Sequence, residues 1–308
     1  MADAVVVGAN GFLGSYLVDA LASAGHRVRA FDRYSSSEPT FTAPGVEIVR
    51  GEFLSRTDLE SAVRGQELVF HFLSTTTPAT AETDPTLDVR TNVAQTIELL
   101  ESCVAAGVRH FYYASTGGAI YGMQGKQVYR ESDRAMPLSP YGIGKLTIEH
   151  YLQYFGRLHD IRATAFRISN PYGPRQHLNK LQGFIPIALR RISRGEPVTV
   201  FGDGSMVRDY VYVADAITMI MNIVGGEPEH GLYNIGSGVG HSVEEVVSTL
   251  ARVVGDQFVV EYRESPATFV DRVVLDIERY VAEFGPVPSR SLEEGIRATA
   301  LGMGLNHV

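Results

Sequence analysis

A strand that ends in spaced glycines and passes straight into a helix leaves a chain few folds to choose from. Val5-Val-Val7 runs into Gly8-Ala-Asn-Gly11-Phe-Leu-Gly14, and a helix opens with Ser15-Tyr-Leu-Val18. Glycines in such a turn let the backbone approach a pyrophosphate, and the helix N-terminus offers unpaired N–H groups and a favourable dipole. The same rhythm continues down the chain. Short apolar runs occupy Ala4 to Val7, Val28 to Phe31, Val46 to Val49, Leu68 to Phe72, His110 to Ala114 and Ala163 to Ile168. Helical patterns lie between them near 15–24, 57–64, 86–106 and 141–156. Apolar strands separated by crossover helices predict an α/β fold, a doubly wound parallel sheet covered on both faces, with its ligand at the carboxyl ends of the strands.

After Ile168 the elements become shorter and are punctuated by Gly and Pro, as in Asn170-Pro-Tyr-Gly-Pro174 and Gly202-Asp-Gly204. This predicts a dinucleotide-binding domain over 1–168 and a smaller α/β C-terminal substrate lobe over 169–308. The apolar helix from Ala214 to Ile223 is expected to pack back on the first lobe, making 209–235 a return segment. Ser35-Ser-Ser-Glu-Pro39 reads as a surface loop. A length of 308 residues agrees with two lobes, because single cores stop growing near ~250–300 residues.

Composition narrows the function classes. The chain is 44% hydrophobic and 20% charged and has no run near the ~20 apolar residues of a membrane span, so no membrane partner is expected. No basic stretch precedes the first strand, which predicts a cytoplasmic protein rather than a secreted one. The single cysteine, Cys103, excludes an internal disulfide framework. The nine histidines show no paired ligand spacing, so no metal is expected. His71 reads as a packed core residue, and Met219 and Met221 as core filling. A net charge of -8 opposes nucleic-acid binding.

Asp32, at the end of the second strand and about 20 residues beyond the turn, is placed to accept hydrogen bonds from the adenosine ribose hydroxyls. A carboxylate there repels a 2′-phosphate, which favours NAD over NADP. The neighbouring Arg33 reads as a solvated charge, although an arginine there can also accommodate that phosphate. Candidate cofactor residues are therefore Gly8, Asn10, Gly11, Phe12, Leu13, Gly14, Asp32 and Arg33, with Leu73 beyond the fourth strand.

Pro140-Tyr141-Gly-Ile-Gly-Lys145 opens a helix, and a spacing of four puts Tyr141 and Lys145 on one face. An ammonium beside a phenol is expected to lower its pKa, so that Tyr141 can take a proton from a sugar hydroxyl while hydride leaves the same carbon for the cofactor. The pair follows the fifth strand, which ends in Ala114-Ser115-Thr116-Gly-Gly-Ala-Ile-Tyr121-Gly122.

These segments, with Arg167 through Asn170-Pro-Tyr-Gly-Pro174 and Gly202 through Arg208-Asp209-Tyr210 to Asp215, resemble the extended short-chain dehydrogenase/reductase family, in its NAD-dependent sugar epimerase/dehydratase branch. The resemblance covers nearly the whole chain and implies a Rossmann-type sheet. It implies that Tyr141 is the acid/base and that Lys145 binds the nicotinamide ribose. Thr116 or Ser115 would hydrogen-bond the reacting sugar oxygen. Asn170 would hold the sugar diphosphate of a nucleotide-diphosphate sugar, Arg208 its phosphates, and Ser74 would face the sugar. Relatives place a further arginine shortly before an aspartate near the C-terminus; Pro266-Ala-Thr-Phe-Val-Asp271 has none, and Arg272 is the candidate substitute. After the fourth strand, His71-Phe-Leu-Ser74-Thr75-Thr-Thr77 departs from the family's alanine pair. It reads either as a polar loop around the cofactor or as hydroxyls facing a polar sugar substituent. A homodimer through the helices near 86–106 and 141–156 is implied by the same analogy.

Dehydratases of this branch carry an acidic pair directly after the strand-end Thr, whereas this chain has Gly117 and Gly118, which cannot transfer protons. The expected net reaction is therefore epimerisation at C4 of a UDP-hexose through a 4-keto intermediate. The alternatives are a dehydratase, a reductase or decarboxylase using the same pair, and a silent NAD-binding regulatory protein.

Overall fold

The computed structural model describes residues 1–34, 38–176, 183–265, 270–287 and 289–305. The anticipated loop at 35–39 therefore falls in part, at 35–37, outside the described residues.

Six strands appear where apolar runs anticipate them: β1 (Asp3–Val7), β2 (Arg27–Asp32), β3 (Glu47–Arg50), β4 (Leu68–His71), β5 (His110–Thr116) and β6 (Arg162–Ile168). They alternate with α1 (Phe12–Ser23), α2 (Arg56–Val63), α3 (Pro78–Thr83), α4 (Pro85–Asp88), α5 (Gln95–Ala106) and α6 (Pro140–Leu158). The single helix expected near 86–106 is composite, because a π-helical stretch over Val89–Ala94 joins α4 to α5. Its wide turns bring Asn92 Nδ2 to Asp88 Oδ1 at 2.8 Å.

Beyond β6 come β7 (Asn170–Tyr172), α7 (Phe184–Ser193), β8 (Val198–Phe201), β9 (Val207–Tyr212), α8 (Val213–Gly225) and β10 (Leu232–Ile235). The chain ends with β11 (Gly240–Ser242), α9 (Val243–Val254), β12 (Val260–Arg263), β13 (Arg272–Val273), α10 (Glu278–Phe284) and α11 (Leu292–Gly302). The main sheet has seven strands in the order β10-β6-β5-β4-β1-β2-β3, all parallel. Order reverses between β1 and β4, and a ligand crevice is expected at such a switch point.

Alternation along each strand feeds two cores. Ala4, Val6, Phe70 and Tyr112 enter one, while Val5, Val7, Val69, Phe111 and Tyr113 enter the other. The α8 residues Val213, Ala216, Ile217, Met219, Ile220 and Ile223 join the first of these cores. Each fully buried Ile there contributes about 1.5–3 kcal/mol, which ties α8 and β10 to the sheet although they lie beyond residue 168. A third core, built from Tyr172, Ile185, Leu189, Val198, Val246, Leu250 and Ile296, stands apart from the sheet. Among the described residues, no helix is long and apolar enough to cross a membrane.

Candidate active site

The turn after β1 meets the end of β4 at the switch point. Gly8 has φ +90, and a Cβ on it would lie 2.8 Å from Leu73 N, so no side chain fits. A Cβ on Gly14 would overlap Gly8 O, and one on Gly11 would sit 3.0 Å from the same oxygen. The space over the N-terminus of α1 is thus lined by bare backbone, which suits a pyrophosphate. Asn10 N donates to Asp32 Oδ2 at 2.9 Å and Arg33 N to Asp32 Oδ1 at 2.7 Å, so the carboxylate is fixed beside the turn. The Asn10 side chain accepts from Thr40 N at 2.8 Å, and the Arg33 side chain is exposed. Phe12 and Leu13 pack their side chains on the sheet's first core. These residues fit a dinucleotide.

At the carboxyl end of β5, α6 starts from a Ser139 cap whose hydroxyl accepts from Gly142 N at 3.2 Å, with Pro140 in the first turn. Tyr141 is half-buried and Lys145 buried. Lys145 Nζ donates to Ala114 O at 2.9 Å and lies 5.7 Å from the Tyr141 ring centroid and 4.7 Å from that of Tyr113. The expected lowering of the Tyr141 pKa does not appear. Burial, and after it the Asp88 charge, push the phenol above its usual range. Burial lowers Lys145 to about 8, against the charges of Asp88 and Glu149.

Strand alternation separates the two candidate hydroxyls. Ser115 Oγ is 2.5 Å from Glu149 Oε1 in the layer between sheet and helix, where Glu149 also takes two hydrogen bonds from Arg167, at 3.1 and 2.7 Å. Thr116 is half-buried and ends the strand on the alternate face. A Cβ on Gly117 would lie 2.5 Å from Leu275 Cδ1, whereas one on Gly118 would find only the Asn170 amide, at 3.7 Å.

Asn170 is placed by β7, which pairs with β9, and its Nδ2 donates to Asp209 O at 3.0 Å. Arg208 lies on β9 with its guanidinium donating to the carbonyls of Val207 (2.9 Å) and Asp271 (3.4 Å) rather than to a carboxylate. Burial lowers its pKa. Arg272 sits on β13, whose register places Val273 beside Arg208, and its Nε donates to Gln127 O at 3.0 Å. The rest of the Pro266–Asp271 stretch, at 266–269, lies outside the described residues.

A sequence profile of the NAD dependent epimerase/dehydratase family matches residues 4–236. The chain belongs to this family. It is 31% identical over 301 residues to UDP-glucose 4-epimerase of Mycolicibacterium smegmatis, with 96% of each chain covered. The fold superposes on the crystal structure of UDP-glucose 4-epimerase with UDP-glucose from Thermotoga maritima at a TM-score of 0.92, with 32% identity and 98% and 99% of the two chains covered. UDP-glucose 4-epimerase from Thermus thermophilus, solved with NAD, gives a TM-score of 0.91 at 30% identity, covering 99% and 100%. NAD is the cofactor of the epimerase/dehydratase family, and the glycine turn with Asp32 is the part of this chain that fits it.

Three features of this family member escape motif reading. Asp88 is 3% exposed and packs against the Tyr141–Lys145 helix at Gly144, where a Cβ would overlap its Oδ2. The Glu149–Arg167 pair is buried on both sides. Asp209 is fully buried and accepts from Ser237 N (2.9 Å), Ser237 Oγ (2.7 Å) and Leu275 N (3.3 Å), pinning three segments together beside β9. The threonine loop engages its hydroxyls internally: Ser74 Oγ donates to Thr76 O, Thr75 Oγ1 to Asn92 Oδ1, and Thr76 Oγ1 to Asp88. His71 is in the core as expected, with Nε2 2.9 Å from Thr96 Oγ1.

Proposed function

We propose that the protein is an NAD-dependent 4-epimerase of a UDP-hexose, such as UDP-glucose/UDP-galactose or a relative modified at C2 or C6. The observation that carries this reading is the placement of Tyr141 and Lys145 on one face of α6 at the carboxyl end of β5, in the same parallel sheet whose β1 ends in the glycine turn. When bound, NAD supplies a hydride acceptor and a positive ring that favours the Tyr141 phenolate. Tyr141 takes the proton of the C4 hydroxyl as the C4 hydrogen leaves as hydride, giving a 4-keto sugar. After the sugar turns over, hydride returns to the opposite face of C4 and Tyr141 gives its proton back to the oxygen. Thr116 is the hydroxyl proposed to hold that oxygen, because Ser115 already donates to Glu149.

Gly117 and Gly118 favour epimerisation over dehydration, since neither can move the protons that elimination across C5 and C6 requires. Gly117 packs against the Leu275 side chain, which would have to shift to admit an acid there. Asn170 is proposed to bind the sugar diphosphate. Arg208 and Arg272 are proposed to hold the nucleotide phosphates; a guanidinium bonded to carbonyls keeps its positive charge unneutralised. Residues 1–168, with the 209–235 return, form the NAD-binding part of this reading, and 169–308 the substrate lobe. A homodimer through α5 and α6 completes it.

The test is turnover of a panel of nucleotide-sugars, with products resolved by NMR. Tyr141→Phe keeps the ring and deletes the hydroxyl, so NAD binding should persist while turnover falls by roughly 10² to 10⁴-fold. Near wild-type turnover in that variant would refute a tyrosine-dependent epimerase.

A further inference from the structure

Asp88 closes α4 with its carboxyl taken out of water, 3% exposed. Its Oδ1 accepts from Asn92 Nδ2 and from Thr76 Oγ1, and its Oδ2 lies against Gly144, the residue before Lys145. The π-helical stretch begins at the next residue, and such wide turns recur at functional sites. A buried carboxylate is unfavourable unless hydrogen bonds and a cation compensate it. Among the described residues Asp88 makes no direct ion pair, and its contact with Gly144 sets the carboxylate against the turn of α6 that carries Lys145, whose Nζ donates to Ala114 O.

We propose that Asp88 is the buried counter-charge of the Tyr141–Lys145 pair, a positioning residue that keeps Lys145 an ammonium and Tyr141 a phenol in the resting site. Around Lys145 stand His71 from β4, Tyr113 from β5, Tyr141 and Glu149 from its own helix, and Asp88 from α4. Burial keeps His71 neutral and the Tyr113 hydroxyl protonated. Glu149 is already paired with Arg167. Asp88 is then the negative charge left to balance Lys145. Burial alone draws Lys145 toward neutrality; Asp88 opposes this first and Glu149 second. The same charge disfavours a premature phenolate at Tyr141. Asp88 touches neither reacting atom and acts through the pair.

The proposal rests on the acid/base reading of Tyr141 and Lys145, but the charge on Lys145 can be measured without turnover. Besides Lys145 the sequence contains only Lys126 and Lys180, so lysine labelled with 13C at Cε gives a spectrum in which Lys145→Arg identifies its signal. In Asp88→Asn, Lys145 should titrate about one pH unit lower or more. Asp88→Ser serves if the Asn variant fails to fold. Thr76→Val disturbs the same packing but leaves the carboxylate, and should leave the titration in place. In turnover, both limbs of the rate profile should move to lower pH in Asp88→Asn, because both the phenol and the ammonium lose a negative neighbour. An unmoved Lys145 titration in Asp88→Asn, or an equal shift in Thr76→Val, would overturn the proposal. A shifted titration in a protein that turns over no nucleotide-sugar would support the counter-charge and reject only the epimerase reading.

Discussion

Asp32 meets two backbone N–H groups, Asn10 at 2.9 Å and Arg33 at 2.7 Å, so its carboxylate is locked where an adenosine ribose is proposed to lie. Charge-assisted hydrogen bonds contribute about 1.5–3 kcal/mol each. Asp32→Ala should therefore weaken NAD binding by roughly tenfold or more, while NADP binding falls less or improves because a repelling charge is gone. Isothermal titration of both dinucleotides checks this, and an equal loss for the two would rule out the ribose role. Although the roles proposed for them rest on the family resemblance as well, Asp32, Tyr141 and Lys145 are legible as positions, because a strand end and a helical repeat fix where such side chains can stand. Asp88 is not. In sequence it is one acidic residue among many, and its burial depends on a π-turn and on Gly144, which are far from it in chain order or invisible to periodicity. Strand alternation likewise says that Ser115 and Thr116 face opposite ways, but not that Ser115 is engaged by Glu149, the contact on which the proposal of Thr116 rests.

Among the elements, strands with continuous apolar runs are readable within a residue or two, as β1 and β4 are, because burial on both faces demands such runs. The strand β10 was harder. Leu232–Ile235 is four residues long and pairs with β6 from far along the chain, a juxtaposition that local pattern does not encode. The composite α4–α5 helix shares its length with an ordinary helix, and only the backbone hydrogen-bond pattern over Val89–Ala94 reveals the wide turn. The outer face of α6 is plainer. Ile143, Tyr154 and Leu158 are 53%, 54% and 59% exposed, and Val89, in the π-helical stretch, is 56% exposed. Positions 143, 147, 150, 154 and 158 share one side of a helix. Apolar side chains aligned on one helix side are what a partner helix pair would cover. Light scattering at micromolar concentration should find a dimer, and Tyr154→Glu with Leu158→Glu should split it without unfolding the monomer. A wild-type monomer would reject the helix-pair assembly.

At the scale of the whole molecule, the main sheet is common to two cores, so a charge forced into its strands destabilises both at once. His71 in β4 and His110 in β5 are 1% and 4% exposed, bonded to Thr96 and Thr164 at 2.9 Å each. Burial lowers His71 to about 3 and His110 to about 4, from an ordinary value of 6.5. The unfolded chain therefore takes up protons below pH 6.5 that the folded chain refuses. Stability is complete above that pH, falls as acid is added, and its histidine share is lost once the pH passes the folded values. At about 1.4 kcal/mol per pH unit, the loss between pH 7.5 and pH 5 is on the order of 2 kcal/mol for each histidine. Urea unfolding at these two pH values should show this drop in the wild-type chain. Replacing His71→Gln and His110→Gln together lowers stability at pH 7.5 but removes both titrating groups. The variant should therefore lose markedly less between the two pH values than the wild type does. Parallel losses in the two proteins would mean that other groups, not the sheet histidines, set the acid limit of the fold.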